Sequence, residues 1–235
     1  MPELLRIRAA RVLAVYAHPD DLEISCGGAL VRWAAAGGST HLLTCTQGDK
    51  GTVDVDVEPR ILAERRAAEA EAAAKVLGAS GHDSLGYPDG ELENDVEFRS
   101  RIVRCIREVR PDIVVCPDPT AVFFGDRYIN HHDHRVVGWA TLDAIAPAAA
   151  SPLYFPDAGP PHQVGTLLLS GTLEPDVWID IDEAVDAKTR ALLCHESQVG
   201  TDERIITEIV RSRAAEAGTD AGVRAAEGFR RIRLA

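Results

Sequence analysis

Two kinds of apolar pattern alternate along this chain. Short runs dominated by apolar and β-branched residues occur at Val12 to Ala17, Thr40 to Thr46, Asp112 to Pro117, Leu167 to Ser170 and Val177 to Ile181. Such runs suit strands buried on both faces of a parallel sheet, where neither face requires polar side chains. Between them the apolar positions take a helical period. Ala29 to Ala36 is a helix entered through the Gly27-Gly28 turn, and an alanine-rich helix opens at Glu58-Pro59 and ends at Gly78. Asp95 to Arg110 is amphipathic, with Val96, Ile102, Val103, Ile106 and Val109 on its inner side. Further helices are expected over about Asp133 to Ile145, Glu183 to Glu196 and Asp202 to Ala217. Ser84 to Gly90 holds a short strand and a turn, Pro117 to His131 reads as loop, and the proline- and alanine-rich Pro147 to Pro161 reads as a surface excursion. Strand and helix in alternation signal βαβ units with right-handed crossovers. The fold class is therefore α/β, a Rossmann-like three-layer sandwich with a mainly parallel sheet. No repeat, low-complexity tail or linker interrupts it, so a single domain over residues 1–235 is expected.

The first strand stops at His18-Pro19-Asp20-Asp21. Pro19 cannot donate to a ladder, so the chain leaves the sheet there. In open α/β sheets ligands bind outside the carboxyl ends of the strands. One histidine and two aspartates, the groups that hold and work a metal, are delivered to that position. The second dense cluster is Asn130-His131-His132-Asp133-His134, which packs three of the eight histidines into four positions. Singly, a His-x-x-Asp in a loop is more often a hydrogen-bonding pair, and an Asp near a helix start more often satisfies free amides. Together the two clusters supply histidines and carboxylates for a catalytic zinc site, which keeps one position open to water. A neighbouring carboxylate can then take a proton from water, and an imidazole can donate to an oxyanion or a leaving amine. A dinucleotide site is excluded, because HPDDLEISCGG is not G-x-G-x-x-G and its acidic residues would repel a pyrophosphate.

Composition narrows the partners. The 235 residues carry a net charge of −12, which speaks against nucleic acid or an anionic membrane. No apolar run is long enough to span a bilayer. Met1 to Arg6 lacks a charged-then-apolar signal, so a cytoplasmic location is expected. Five scattered cysteines with no C-x-x-C give neither a disulfide framework nor a zinc-ribbon spacing. His41, His82 and His162 have no partner in sequence and read as structural or surface residues.

The run Ala17 to Glu23 followed by Cys26-Gly27-Gly28 resembles the signature of the LmbE-like, PIG-L family of zinc-dependent N-acetylglucosaminyl de-N-acetylases. Further similar marks are TQGDKG at 46–51, Arg66 and Glu69 ahead of Leu77-Gly78, LGYPDG at 85–90, NHHDHR at 130–135, HESQ at 195–198 and AEGF at 226–229. The resemblance implies zinc held by His18, Asp21 and His134, with Asp20 as the general base. It implies His131 as oxyanion stabiliser or proton donor oriented by Asp133, and sugar contacts from Arg66 and Asp49. Spacing alone does not divide the roles of Asp20 and Asp21. Two departures stand out: Leu22 comes between the aspartate pair and Glu23, and His132 sits where the family usually has proline. The implied substrate is a small acetylated amino sugar or related conjugate, and a homo-oligomer is compatible with it. The alternatives are an amidase acting on a thiol-cofactor conjugate and a non-catalytic metal-binding module. Asp20 favours the enzyme, since a binder has no use for an unligated carboxylate beside the metal.

Overall fold

The computed structural model describes residues 2–234. In chain order the strands and helices are β1 (Glu3–Leu4), β2 (Arg11–Tyr16), α1 (Asp21–Ala35), β3 (Ser39–Thr46), α2 (Pro59–Leu77), β4 (Gly81–Tyr87), α3 (Val96–Val109), β5 (Ile113–Pro117), β6 (Phe123–Phe124) and β7 (Tyr128–Ile129). They continue as α4 (His132–Asp143), β8 (Thr166–Ser170), β9 (Val177–Asp180), α5 (Val185–Leu193), α6 (Glu196–Val199), α7 (Glu203–Ala221) and β10 (Ala226–Arg233). Eight strands form one sheet in the order β1-β9-β10-β8-β5-β2-β3-β4. All neighbours are parallel except β10, which runs antiparallel to both β8 and β9. This is the expected α/β architecture with a mainly parallel sheet.

Strand β2 shows why the apolar runs lack alternation. Val12, Ala14 and Tyr16 pack with α1, α2, α5 and α7 on one face, whereas Leu13, Val15 and Ala17 pack with α3 and α4 on the other. Both faces are covered, so every position is apolar. The strand order turns at β2: β3 and β4 lie to one side, β5 and β8 to the other. Its carboxyl end is the switch point where an open sheet leaves a crevice.

Two expectations are refined and two are corrected. The chain turns helical earlier than expected, at Asp21, but Cys26 (φ −143°) breaks α1, and Gly27-Gly28 re-enter the helix after that break as the sequence suggested. The free amides after the break, on Gly28 and Ala29, donate to the Glu227 carboxylate at 2.9 and 2.8 Å, and Lys188 neutralises that carboxylate at 2.6 Å. Gly28 is glycine because Ile181 packs where a Cβ would stand, 2.8 Å away. Pro147 to Pro161 lies largely at the surface, as expected, but it is pinned there: Ala148, Ala149 and Ala158 are buried, and buried Arg107 donates to carbonyls throughout the segment. The expected loop after Pro117 folds part of its length into the β6–β7 hairpin. Val96 is 63% exposed rather than inward, since it opens α3 just after its capping residue Asp95. No helix among the described residues is long and apolar enough to cross a membrane.

Candidate metal centre

The chain leaves β2 through His18 and Pro19, and Asp20 then takes a left-handed conformation with φ of 107°. For a non-glycine residue such a conformation costs roughly 1–3 kcal/mol and is found where a site requires it. The reversal sends the adjacent carboxylates to different partners. Asp21 folds back to accept the His18 backbone N–H at 2.8 Å, while Asp20 Oδ2 stands 3.4 Å from Arg66 Nη2. His134 arrives from the first turn of α4. Its Nε2 lies 3.1 Å from Asp21 Oδ1 and 3.2 Å from His18 Nδ1, and His18 Nδ1 lies 3.3 Å from Asp21 Oδ2.

These distances, the two to Asp21 ending on different oxygens of its carboxylate, join the three residues in a triangle suited to a cation. Ligands at about 2.0–2.1 Å in a tetrahedron stand about 3.3 Å apart. The remaining ring nitrogens are engaged from outside. His18 Nε2 faces Asp89 Oδ1 at 3.0 Å and Asp133 Oδ2 at 3.4 Å, and His134 Nδ1 faces Asn130 Oδ1 at 3.0 Å. Those acceptors place the imidazole protons on the outer nitrogens, which turns two lone pairs and a carboxylate toward one point. Around a bound cation that arrangement is attractive, and outer acceptors of this kind are the usual support of metal-bound histidines. With no ion, burial pushes His18 down but its hydrogen bonds to Asp133, Asp21 and Asp89 outweigh it, raising its pKa to about 12. Burial likewise pushes Asp21 up, but His134 and His18 hold it well below the carboxylate range.

A ring nitrogen of His131 comes within 4.8 Å of those of His18 and His134, and His18, Asp89, His131 and Asp133 form a second group of the same spread. The tighter triangle is the better seat, because Asp89 and Asp133 address the outer nitrogen of His18. His131 accepts the Asp133 backbone N–H on Nδ1 at 3.2 Å, which leaves Nε2 as its donor. The orienting contact expected of the Asp133 side chain is thus made by its backbone. The carboxylate itself accepts from Gly90 N at 2.7 Å and faces His18, with Oδ1 buried and unpartnered. His132 points elsewhere, its Nε2 2.9 Å from the Leu92 carbonyl.

Asp20 is not part of the triangle. Burial, then the Asp21 charge, raises it to about 7 against the pull of Arg66 and His195. Arg66 was implied as a sugar contact, but it is 3% exposed and donates to Pro19 O at 2.5 Å and Gly48 O at 2.9 Å. It ties the two loops that follow β2 and β3 and faces Asp20. Gly48 (φ +62°) is glycine because a Cβ would stand 2.4 Å from the guanidinium. Asp49 acts one step back, accepting the Asp89 backbone N–H at 2.8 Å. Beneath Asp20 lies buried His195, whose Nε2 is 3.3 Å from Glu23 Oε2, an ion-pair distance without hydrogen-bond alignment. Asp89, Asn130, Glu23 and His195 were not assigned from the sequence. Each lies inside or beside a quoted motif, so their presence was visible and their partners were not.

A cavity of about 640 Å³ opens beside Asp21 and His134, large enough for a small ligand. A larger concavity of about 1190 Å³ along the start of α7 is wide open and holds none of these residues.

Residues 13–145 match the family model PIG-L, GlcNAc-PI de-N-acetylase. The chain is 34% identical over 224 residues to a diacetylchitobiose deacetylase of Thermococcus kodakarensis, covering 94% of this chain and 82% of the relative. It is 30% identical over 268 residues to a 1D-myo-inositol 2-acetamido-2-deoxy-alpha-D-glucopyranoside deacetylase of Rhodococcus jostii, covering 88% and 89%. The solved N,N′-diacetylchitobiose deacetylase of Pyrococcus horikoshii, in complex with its inhibitor MPG, superposes with a TM-score of 0.86 at 29% identity, covering 95% and 84%.

Proposed function

The chain belongs to the PIG-L family of de-N-acetylases, and from that membership and the site we propose a zinc-dependent hydrolase that removes the N-acetyl group from a small molecule containing N-acetylglucosamine. The observation that carries the metal reading is the triangle of His18 Nδ1, Asp21 and His134 Nε2, closed at 3.1–3.3 Å with every outer imidazole nitrogen engaged. Zinc held there supplies Lewis acidity that polarises an amide carbonyl and makes water acidic near neutrality.

The chain's own residues perform the remaining steps. Asp20, outside the triangle and raised toward neutrality, takes the proton of the attacking water on a carboxylate oxygen. Its left-handed backbone and Arg66 hold that carboxylate beside the centre. His131, with Nδ1 occupied, offers the Nε2 proton to the developing oxyanion or to the leaving amine. Asp89 and Asp133 fix the His18 ring, and Asn130 fixes His134. A metal-binding module needs the triangle alone. A strained, Arg-backed carboxylate beside it favours turnover.

The test is acetate release by the zinc-loaded protein from N,N′-diacetylchitobiose and from the inositol glycoside on which the Rhodococcus relative acts. His134→Ala should lose most bound zinc and all turnover, because a three-ligand site cannot spare one. His132→Ala should keep the metal, since that ring is held by Leu92. Zinc remaining near one ion per chain in His134→Ala overturns the ligand set. No acetate from either sugar overturns the activity.

A further inference from the structure

The α2 side of β3 and β4 departs from the rule that a sheet face under a helix is apolar. Thr44, Thr46, His82 and Ser84 line a cavity of about 400 Å³ there, against the short side chains of Ala63, Ala67 and Ala70 on α2. The space shares no lining residue with the cavity beside the metal triangle, and Pro19, between His18 and Asp20, is part of its wall. His82 has no partner in sequence but has two in the fold. Its Nδ1 lies 3.0 Å from Glu71 Oε1, and its Nε2 lies 3.1 Å from Thr44 Oγ1. An ionised carboxylate only accepts, so the neutral ring carries its proton on Nδ1 and the Thr44 hydroxyl donates to Nε2.

The hydrogen-bonding capacity of this lining is one-sided. Thr44 and Thr46 have committed their protons, to His82 and to the Ala17 carbonyl at 3.0 Å. Gln47 donates to the Gly86 carbonyl at 2.7 Å, and Arg60 is held by Glu64 at 2.6 Å. What remains is mostly acceptor: the Thr44 oxygen, the Gln47 amide oxygen and the second oxygen of Glu71. Arg60 offsets the charge of Glu64, and beside a neutral His82 the charge of Glu71 is left unbalanced.

We propose that this cavity binds a small primary ammonium compound bearing hydroxyl groups, about the size of a monosaccharide. The three N–H donors of an ammonium match the acceptors on Glu71 and Thr44, and charge assistance strengthens the first of these bonds. Hydroxyl groups match Ser84 and Gln47, and the alanines of α2 take the apolar face of a ring. The volume suits a ligand of that size. Removal of an N-acetyl group makes a compound of this class, so the cavity is a second seat for the amino sugar released. That link rests on the deacetylase reading above, whereas the acceptor-rich lining does not.

The test titrates glucosamine and glucose, which differ at one carbon only, into the zinc-loaded protein at fixed pH and ionic strength. The readout is the imidazole resonances of His82, identified by their absence from His82→Gln. Glucosamine should shift them with an affinity about tenfold above that of glucose, the worth of one charge-assisted contact at a partly exposed carboxylate. Glu71→Gln should erase the preference, because the amide oxygen still accepts from His82 but carries no charge. Ala67 is exposed on α2, and Ala67→Leu fills the cavity with another good helix former. That variant should abolish the shifts while acetate release from N,N′-diacetylchitobiose is unchanged. If no sugar releases acetate but glucosamine shifts His82 as expected, the deacetylase reading fails and the cavity stands. If glucosamine and glucose act alike on His82, or Ala67→Leu leaves the shifts intact, the proposal is overturned.

Discussion

Arg66 and Arg107 are equally buried, each 3% exposed, yet they organise different kinds of region. Arg107 gives its guanidinium to the carbonyls of Ala148, Ala149, Ser151, Tyr154, Phe155 and Gly159, all in one stretch of chain. No carboxylate and no candidate catalytic group takes part, so its work is to satisfy backbone that would otherwise be orphaned. Arg66 instead draws its acceptors from two loops of the site, Pro19 O and Gly48 O, and has the Asp20 carboxylate within 3.4 Å. One arginine completes the fold of a segment, and the other holds the carboxylate proposed as the base. Burial alone does not tell the two roles apart; the identity of the acceptors does.

The largest effect expected is on the Arg66 side. Asp20→Asn should lower kcat by about 10²–10⁴-fold, the usual worth of a general base, with zinc retained. Metal analysis beside kinetics checks it, and loss of zinc there with retention in Asp21→Asn would reverse the two roles. Next, Arg107→Met should cost about 3 kcal/mol of stability by leaving several carbonyls without donors, with kcat of the folded fraction unchanged. Urea denaturation and assay of the same preparation measure both, and a large fall in kcat at full stability would erase the distinction between the arginines. Arg66→Lys should be milder. It keeps the charge but loses the fork, so kcat should fall about tenfold with roughly 1 kcal/mol of stability lost. The smallest effect is one of pH. Burial pushes His195 down, but Glu23 and Asp20 outweigh it and raise its pKa. A raised histidine adds stability that is fully present below its unfolded value and is lost as pH rises through the folded one. Wild type should therefore lose stability relative to His195→Gln as pH climbs past neutrality. The Arg107→Met difference should stay flat across that range, because no titratable group contacts that guanidinium. Thermal melts of the three proteins at several pH values decide it.

Much of the site was readable because it is local. His18 and Asp21 are three residues apart in one turn, and Asn130 and His134 are four apart at one helix start, so short-range geometry nearly determines each half. What the sequence did not show is long-range. Gly27-Gly28 do re-enter a helix, but the reason for Gly28 is Ile181, 153 positions away, and the break at Cys26 is mended by Glu227 from the last strand. Pro147 to Pro161 does lie largely at the surface, and what pins it, Arg107, belongs to a distant helix. Strand β10 was not read at all: AEGFRRIR is polar along much of its length, because it continues past the buried core, and β8 and β9 supply its ladder.

The sequence by itself determined the layered α/β architecture, the strand end at which chemistry gathers, and the residue types delivered there. Those follow from periodicity and from the few conformations open to proline and glycine. Only the tertiary structure decided that His18 Nδ1, the Asp21 carboxylate and His134 Nε2 gather at 3.1–3.3 Å, and that Arg66 faces Asp20 instead of the cavity. The physical reason is that a side chain's role depends on which atoms meet it across the fold. Those partners, more than a hundred residues apart for His18 and His134, are set by how helices and loops pack onto the sheet.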